Sequence, residues 1–177
     1  MQKGLLKIFG VFGMVMLSAC SASTYKDKEK ETANACPNIW ITEDTSQITK
    51  IVDNQPLWKA KIDGYKGTCS FNKNRSELEL NLNVDFTAEL LKKDIERAFT
   101  VRYYVAVPVL YPDAVGKQNF YLDVVFPSGK DKVNVRKRST NLSFPLKKED
   151  GTKINIKDVY VGIQLDREQL AYNRKKK

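Results

Sequence analysis

Cys20, Cys36 and Cys69 are the chain's three thiols, and the sequence contains no histidine. A thiolate can bind zinc, attack an electrophile or oxidise to a disulfide. Without histidine, the usual general base at neutral pH and the commonest metal ligand are both missing. Cys36 and Cys69 lack the CxxC spacing of a zinc site and flank the first β segments, where a cross-link would staple the start of the domain. The expectation is a Cys36–Cys69 disulfide, contributing about 3 to 4 kcal/mol in the chain-entropy model. Cys20 is then the odd thiol, and its role needs a separate explanation.

Carboxylates and tyrosines are the other groups with chemical potential. Glu77, Glu79 and Asp85 share one face of an alternating segment, but paired acid/base work needs a cleft and perturbed titration. They are read as a solvated face. No GxSxG, no glycine-rich phosphate loop and no Ser/Lys arrangement of known spacing is present. No catalytic residue, metal site or cofactor is expected. Tyr104 and Tyr121 fall on strand faces opposite the main apolar set, a candidate binding surface for sugar or a partner strand. The alternative is that they pack under a connector.

The residues before Cys20 explain its role. Met1 to Lys7 carries two lysines and no acids, and Ile8 to Ala19 is an unbroken run of apolar and small residues. This is the layout of a signal peptide, and the run is shorter than the roughly 20 apolar residues of a spanning helix. Leu17-Ser18-Ala19-Cys20 resembles a bacterial lipobox, which implies diacylglycerol on the Cys20 thiol and cleavage before it. Ser21, rather than Asp, follows the cysteine; by analogy with enterobacterial sorting this favours the outer membrane, facing the periplasm.

Charge and composition divide the chain. The formal net charge of +9 loses Lys3 and Lys7 with residues 1–19. The basic tail at residues 174–177 holds four more positive charges. The body is therefore only about +3, and nucleic acid is not an expected partner. Residues 20–35 comprise the lipidated cysteine and a polar segment without apolar period, a linker signature with a span of roughly 20 Å. Residues 36–173 have the composition of one globular domain.

The elements of that domain read as β. In ELELNLNVDFTA, from Glu77 to Ala88, apolar and polar residues alternate strictly, the mark of a strand with one buried face. Phe99 to Tyr111 reads as a second long strand, bulged or on an edge at Pro108, and Gln118 to Pro127 as a third. Short strands are expected at residues 38–42, 57–63, 68–72, 133–136, 140–146 and 158–165. Residues 45–51 and 91–97 read as short helical pieces, and Asp166 suits the N-cap of a terminal helix reaching Asn173. The expected fold is all-β: a single antiparallel, immunoglobulin-like β-sandwich of about seven to nine strands with a short C-terminal helix. A closed eight-stranded barrel is the alternative.

CPNIWITEDTSQITKI, YKGTCSFN, YYVAVPV and VYVGIQLDREQLAYNR resemble uncharacterised alphaproteobacterial lipoproteins across most of Cys36 to Arg174. Ile163 stands where that group tends to have Phe. The resemblance implies export, lipidation and a β domain, and it brings no activity. Tyr172, Asn173 and Arg174 are the positions it marks, with docking of the terminal helix the preferred role. The expected function is a non-catalytic binding or scaffolding module, held by membrane lipid through Cys20 and engaging an envelope protein partner. The alternative is a small-ligand or glycan binder.

Overall fold

The strict alternation of residues 77–88 becomes the centre of the molecule. In chain order the strands are β1 (Asn38–Ile41), β2 (Gln47–Val52), β3 (Gln55–Phe71), β4 (Glu77–Leu90), β5 (Ala98–Ala106), β6 (Lys117–Val125), β7 (Lys132–Pro145) and β8 (Asp158–Ile163), followed by helix α1 (Arg167–Lys175). The computed structural model describes residues 35–175, without the side chains of residues 138–140. The leader, Cys20, linker residues 21–34 and residues 176–177 of the tail lie outside the described residues.

Two four-stranded sheets form, ordered β1-β8-β5-β6 and β2-β3-β4-β7. Along β4, Leu78, Leu80, Leu82, Val84, Phe86, Ala88 and Leu90 are all buried. Their period of two places them on one face. They meet the inward residues of the other sheet, among them Val101, Tyr103, Val105, Leu122 and Val124. Phe86 packs edge-on against Tyr103 at 5.3 Å, and Trp58 stacks on Phe99 at 3.8 Å. Each fully buried Leu, Val or Phe contributes about 1.5 to 3 kcal/mol. The all-β sandwich with a short terminal helix is thus the observed architecture, and both sheets keep their edges instead of closing into a barrel.

Several local expectations are corrected. The sandwich is antiparallel except at β1, which runs parallel to β8 from Asn38↔Asp158 to Ile41↔Val161. The two short strands expected at residues 57–63 and 68–72 are one seventeen-residue strand, β3, with a bulge between Ile62 and Gly64. Similarly, β7 runs unbroken across residues 133–146 as far as Pro145, with an irregularity opposite Leu82 and Val84. Most of residues 45–51, expected to be helical, belong to β2, where pairing with β3 outweighs local helix preference. The 91–97 connector is irregular, because the amides of Leu91 and Lys92 bond the Leu57 carbonyl as the chain crosses between sheets.

Pro108 does not sit in a strand. β5 stops at Ala106, and Pro108–Leu110 is a 3-10 turn with Pro at its start, where the missing N–H and preset φ cost nothing. The terminal helix follows its sequence signal. The Gln169 amide donates to Asp166 Oδ1 at 2.8 Å, and the Asp166 amide donates to Gln169 Oε1 at 3.0 Å. This is a reciprocal capping box.

Candidate functional site

A groove opens where an edge of each sheet is left without a neighbour among the described residues. β2 is only six residues long and pairs with β3 as far as Gln47↔Lys61, followed by one bond from the Ile62 amide to the Ser46 carbonyl. Among the described strands, none pairs with residues 63–71 of β3 on that side. Among the described strands β1 pairs only with β8, so within them its other edge is open as well. Unpaired strand edges are templates for added strands.

The two edges are held at a fixed separation. Cys36 and Cys69 are joined by the expected disulfide, with Cα atoms 5.9 Å apart. Tyr65, on the inner face of β3, donates its hydroxyl to the Ile39 carbonyl at 2.9 Å. Gly67 lies between these ties. A Cβ there would stand 3.3 Å from both the Asn81 carbonyl oxygen and Leu82 Cδ1, and 3.4 Å from Ile39 Cδ1, so a side chain would crowd β4 at this point.

The resulting groove has a volume of about 480 Å³, with Leu80, Gly67 and Ile39 among its walls and Trp40 and Tyr65 beside them. Trp40 is 51% exposed and Tyr65 38%. The Trp40 indole is oriented by donation from Nε1 to Asp158 Oδ1 at 2.8 Å. The groove therefore combines an apolar floor, two aromatic rims and exposed strand backbone. Thr68, Cys69 and Leu80 also border a second concavity of about 660 Å³, which continues across Ser70, Glu79, Asn81, Asn141 and Ser143.

The two tyrosines singled out by sequence lie diagonally across the β5–β6 ladder on its outer face. Tyr121 is 59% exposed. Tyr104 is half-buried: its hydroxyl lies 3.0 Å from Thr45 Oγ1, and Lys117 Nζ sits over its ring at 4.5 Å. It covers Gly162 and packs beneath the connector after β1, while Tyr121 stands opposite Arg102 in the β5–β6 ladder. Neither contributes to the groove.

Charged groups are paired elsewhere. Asp85 accepts from Arg136, with Nη2 3.0 Å from Oδ2, and this hydrogen bond and charge hold its carboxyl below the usual range. Burial pushes the Asp63 carboxyl up, but hydrogen bonds from Lys61 and Thr87 outweigh it and leave the group low. Glu79 accepts from Ser70 Oγ at 3.2 Å. These carboxylates are separate contacts on the outer face of the β3-β4-β7 sheet, as expected of a solvated face. Among the described residues, no cluster of three His, Cys, Asp or Glu side chains is placed to hold a metal ion.

Sequence reading missed Trp40 and Tyr65. NIWI is apolar at three successive positions, so periodicity could not say which of them faced outward. Tyr65 lies between Gly64 and Gly67, which read as the end of a strand. At the far end of the chain, Asn173 is buried and donates through Nδ2 to the Asp44 and Gln47 carbonyls, while Arg174 pairs with Asp44 at 2.9 Å. These residues dock the helix, the role the sequence favoured. Comparison with known proteins finds no matching family model, no matching curated protein and no matching solved structure, so the groove stands on its own geometry.

Proposed function

We propose that the protein is a bacterial envelope lipoprotein, anchored through acylated Cys20, whose β domain is a non-catalytic binding module for an extended segment of an envelope protein. The observation that carries this reading is the β3 edge at residues 63–71, unpaired among the described residues and lying beside a groove rimmed by Trp40 and Tyr65. An added strand gains main-chain hydrogen bonds from such an edge, and alternate side chains enter the adjoining groove. Lipidation is supported by LSAC and by the disulfide, which leaves Cys20 as the unpaired thiol. The lipobox and the resemblance to alphaproteobacterial lipoproteins support export and lipidation, and Ser21 in place of Asp after the cysteine favours the outer membrane, facing the periplasm.

A small-ligand or glycan site is the second reading. The groove's volume of about 480 Å³ lies within the range of small-molecule pockets, and aromatic rims suit sugar rings. A photo-crosslinking residue at Thr68 in living cells separates the two. Capture of a discrete protein, lost when Gly67→Arg blocks the groove, supports strand addition. Absence of any protein adduct, together with retention of glycan on the purified domain, overturns it. The anchor has its own test: Cys20→Ala should abolish membrane partition of the mature protein, and unchanged retention defeats the lipobox reading.

A further inference from the structure

The end of the sandwich at which the chain departs toward Cys20 carries a surface that the groove does not use. In one sheet, Asn38 pairs with Asp158 and Ala106 with Lys117; in the other, Phe71 pairs with Leu78 and Glu77 with Pro145. The Cys36–Cys69 disulfide brings these ends of the two sheets together. One pole is thus built from Cys36, the turn at residues 72–76, and the connections at residues 107–116 and 146–157.

The 107–116 connection holds apolar side chains outward. Val107 and Leu110 are buried, whereas Val109 is 54% exposed, Tyr111 72% and Val115 37%. Its backbone is braced by bonds from the Leu110 amide to the Val107 carbonyl and from the Gly116 amide to the Asp113 carbonyl, 3.0 and 2.8 Å. Gly116 fits where a Cβ would come within 2.7 Å of the Leu110 carbonyl oxygen. The exposed apolar tip is therefore a shaped feature. Lys73, Arg75, Lys147, Lys148, Lys153 and Lys157 are exposed on the neighbouring segments. They outnumber the carboxylates Glu77, Asp113, Glu149, Asp150 and Asp158, of which Asp150 accepts from the Thr152 amide and Asp158 from the Trp40 indole.

We infer that this pole is a lipid-contacting surface, with Val109, Tyr111 and Val115 entering the interface and the surrounding lysines and Arg75 meeting anionic headgroups. The inference rests on the anchoring at Cys20 proposed above. The polar chain outside the described domain ends at Cys36, on this pole, and its expected span is roughly 20 Å. The acyl chains would hold a membrane opposite this surface at high effective concentration, so that weak contacts count. Tyrosine favours the headgroup level, lysine stems let ammonium groups reach outward, and a positive excess attracts anionic lipid.

The full acylated protein, reconstituted into phosphatidylcholine vesicles with or without phosphatidylglycerol, provides the test. Amide exchange in residues 107–116 should slow several-fold on the anionic vesicles relative to detergent. The triple variant Lys147→Glu, Lys148→Glu, Lys153→Glu should lose that protection while still floating with the vesicles. A protein that floats but exchanges equally fast in detergent and on both vesicle types overturns the inference. So does protection that rises with protein concentration in the absence of vesicles, which would assign the pole to a second copy. A chain that does not float defeats the anchor; the pole is then judged by pelleting the soluble protein with phosphatidylglycerol vesicles, where salt-sensitive pelleting sustains it and no pelleting overturns it.

Discussion

Asn173 of α1 donates through Nδ2 to the main-chain oxygen of Gln47 at 2.8 Å, and its second donation reaches the Asp44 oxygen at 3.0 Å. One buried amide thus fastens the last helix to the connection between β1 and β2. Asn173→Ala would leave both carbonyls without this donor, at a cost of about 1 to 3 kcal/mol. Urea unfolding should show the loss, and amide exchange should rise in residues 167–175 before the strands. Unchanged exchange there would mean that the neighbouring Arg174–Asp44 pair alone suffices.

The disulfide makes a different prediction, because it joins the two edges of the groove. Replacing Cys36 and Cys69 together with serine should lower stability by about 3 to 4 kcal/mol, as expected for a loop of this size. The loss should register as a reduced denaturant midpoint. It should be accompanied by faster exchange at the Gly67 and Ile39 amides, which line the groove that the cross-link closes. A midpoint equal to that of the native protein would exclude the bond as a structural staple.

Gly162 tests the packing of Tyr104. A Cβ at Gly162 would meet Thr45 Oγ1 and come within 2.6 Å of the Tyr104 hydroxyl, so Gly162→Ala should destabilise the fold by about 1 to 3 kcal/mol through overpacking. In a Tyr104→Ala background the same substitution should cost less, since the ring has gone. Equal costs in both backgrounds, measured by a double-mutant cycle, would show that the ring is not the obstacle.

Asp85 predicts a pH dependence. Its folded carboxyl titrates below the ordinary value of 3.8 because Arg136 donates to it. A depressed folded pKa contributes stability that is present above the unfolded pKa and lost as pH falls through the folded one. Asp85→Asn should therefore be less stable than the native protein at neutral pH, with the gap closing as pH drops below 3.8. Thermal melts across pH 7 to 2 would check this, and a constant gap would assign the effect to packing.

Much of the sandwich was legible in the chain because strand burial is written in a period of two. Leu78 to Leu90 show it without ambiguity, and Asp166 with Gln169 announces the terminal helix equally locally. Glycine and proline misled at the next level. Gly64 and Gly67 look like breaks yet sit inside β3, where pairing with β4 continues past a bulge at Ile62/Gly64 and Gly67 packs tightly against Asn81 and Leu82. Pro108 looks like a strand irregularity yet opens a 3-10 turn.

By itself the amino-acid sequence determined the class of the fold, the buried face of β4 and the pairing of Cys36 with Cys69. These depend on side-chain period and thiol count, which are local or arithmetic. Only the tertiary structure decided that β1 runs parallel to β8, that β3 outruns β2 to leave an open edge, and that Trp40 and Tyr65 rim one groove. Those relations are set by pairing between distant segments. Their free energy comes from backbone hydrogen bonds and interdigitated side chains that no short window of residues contains.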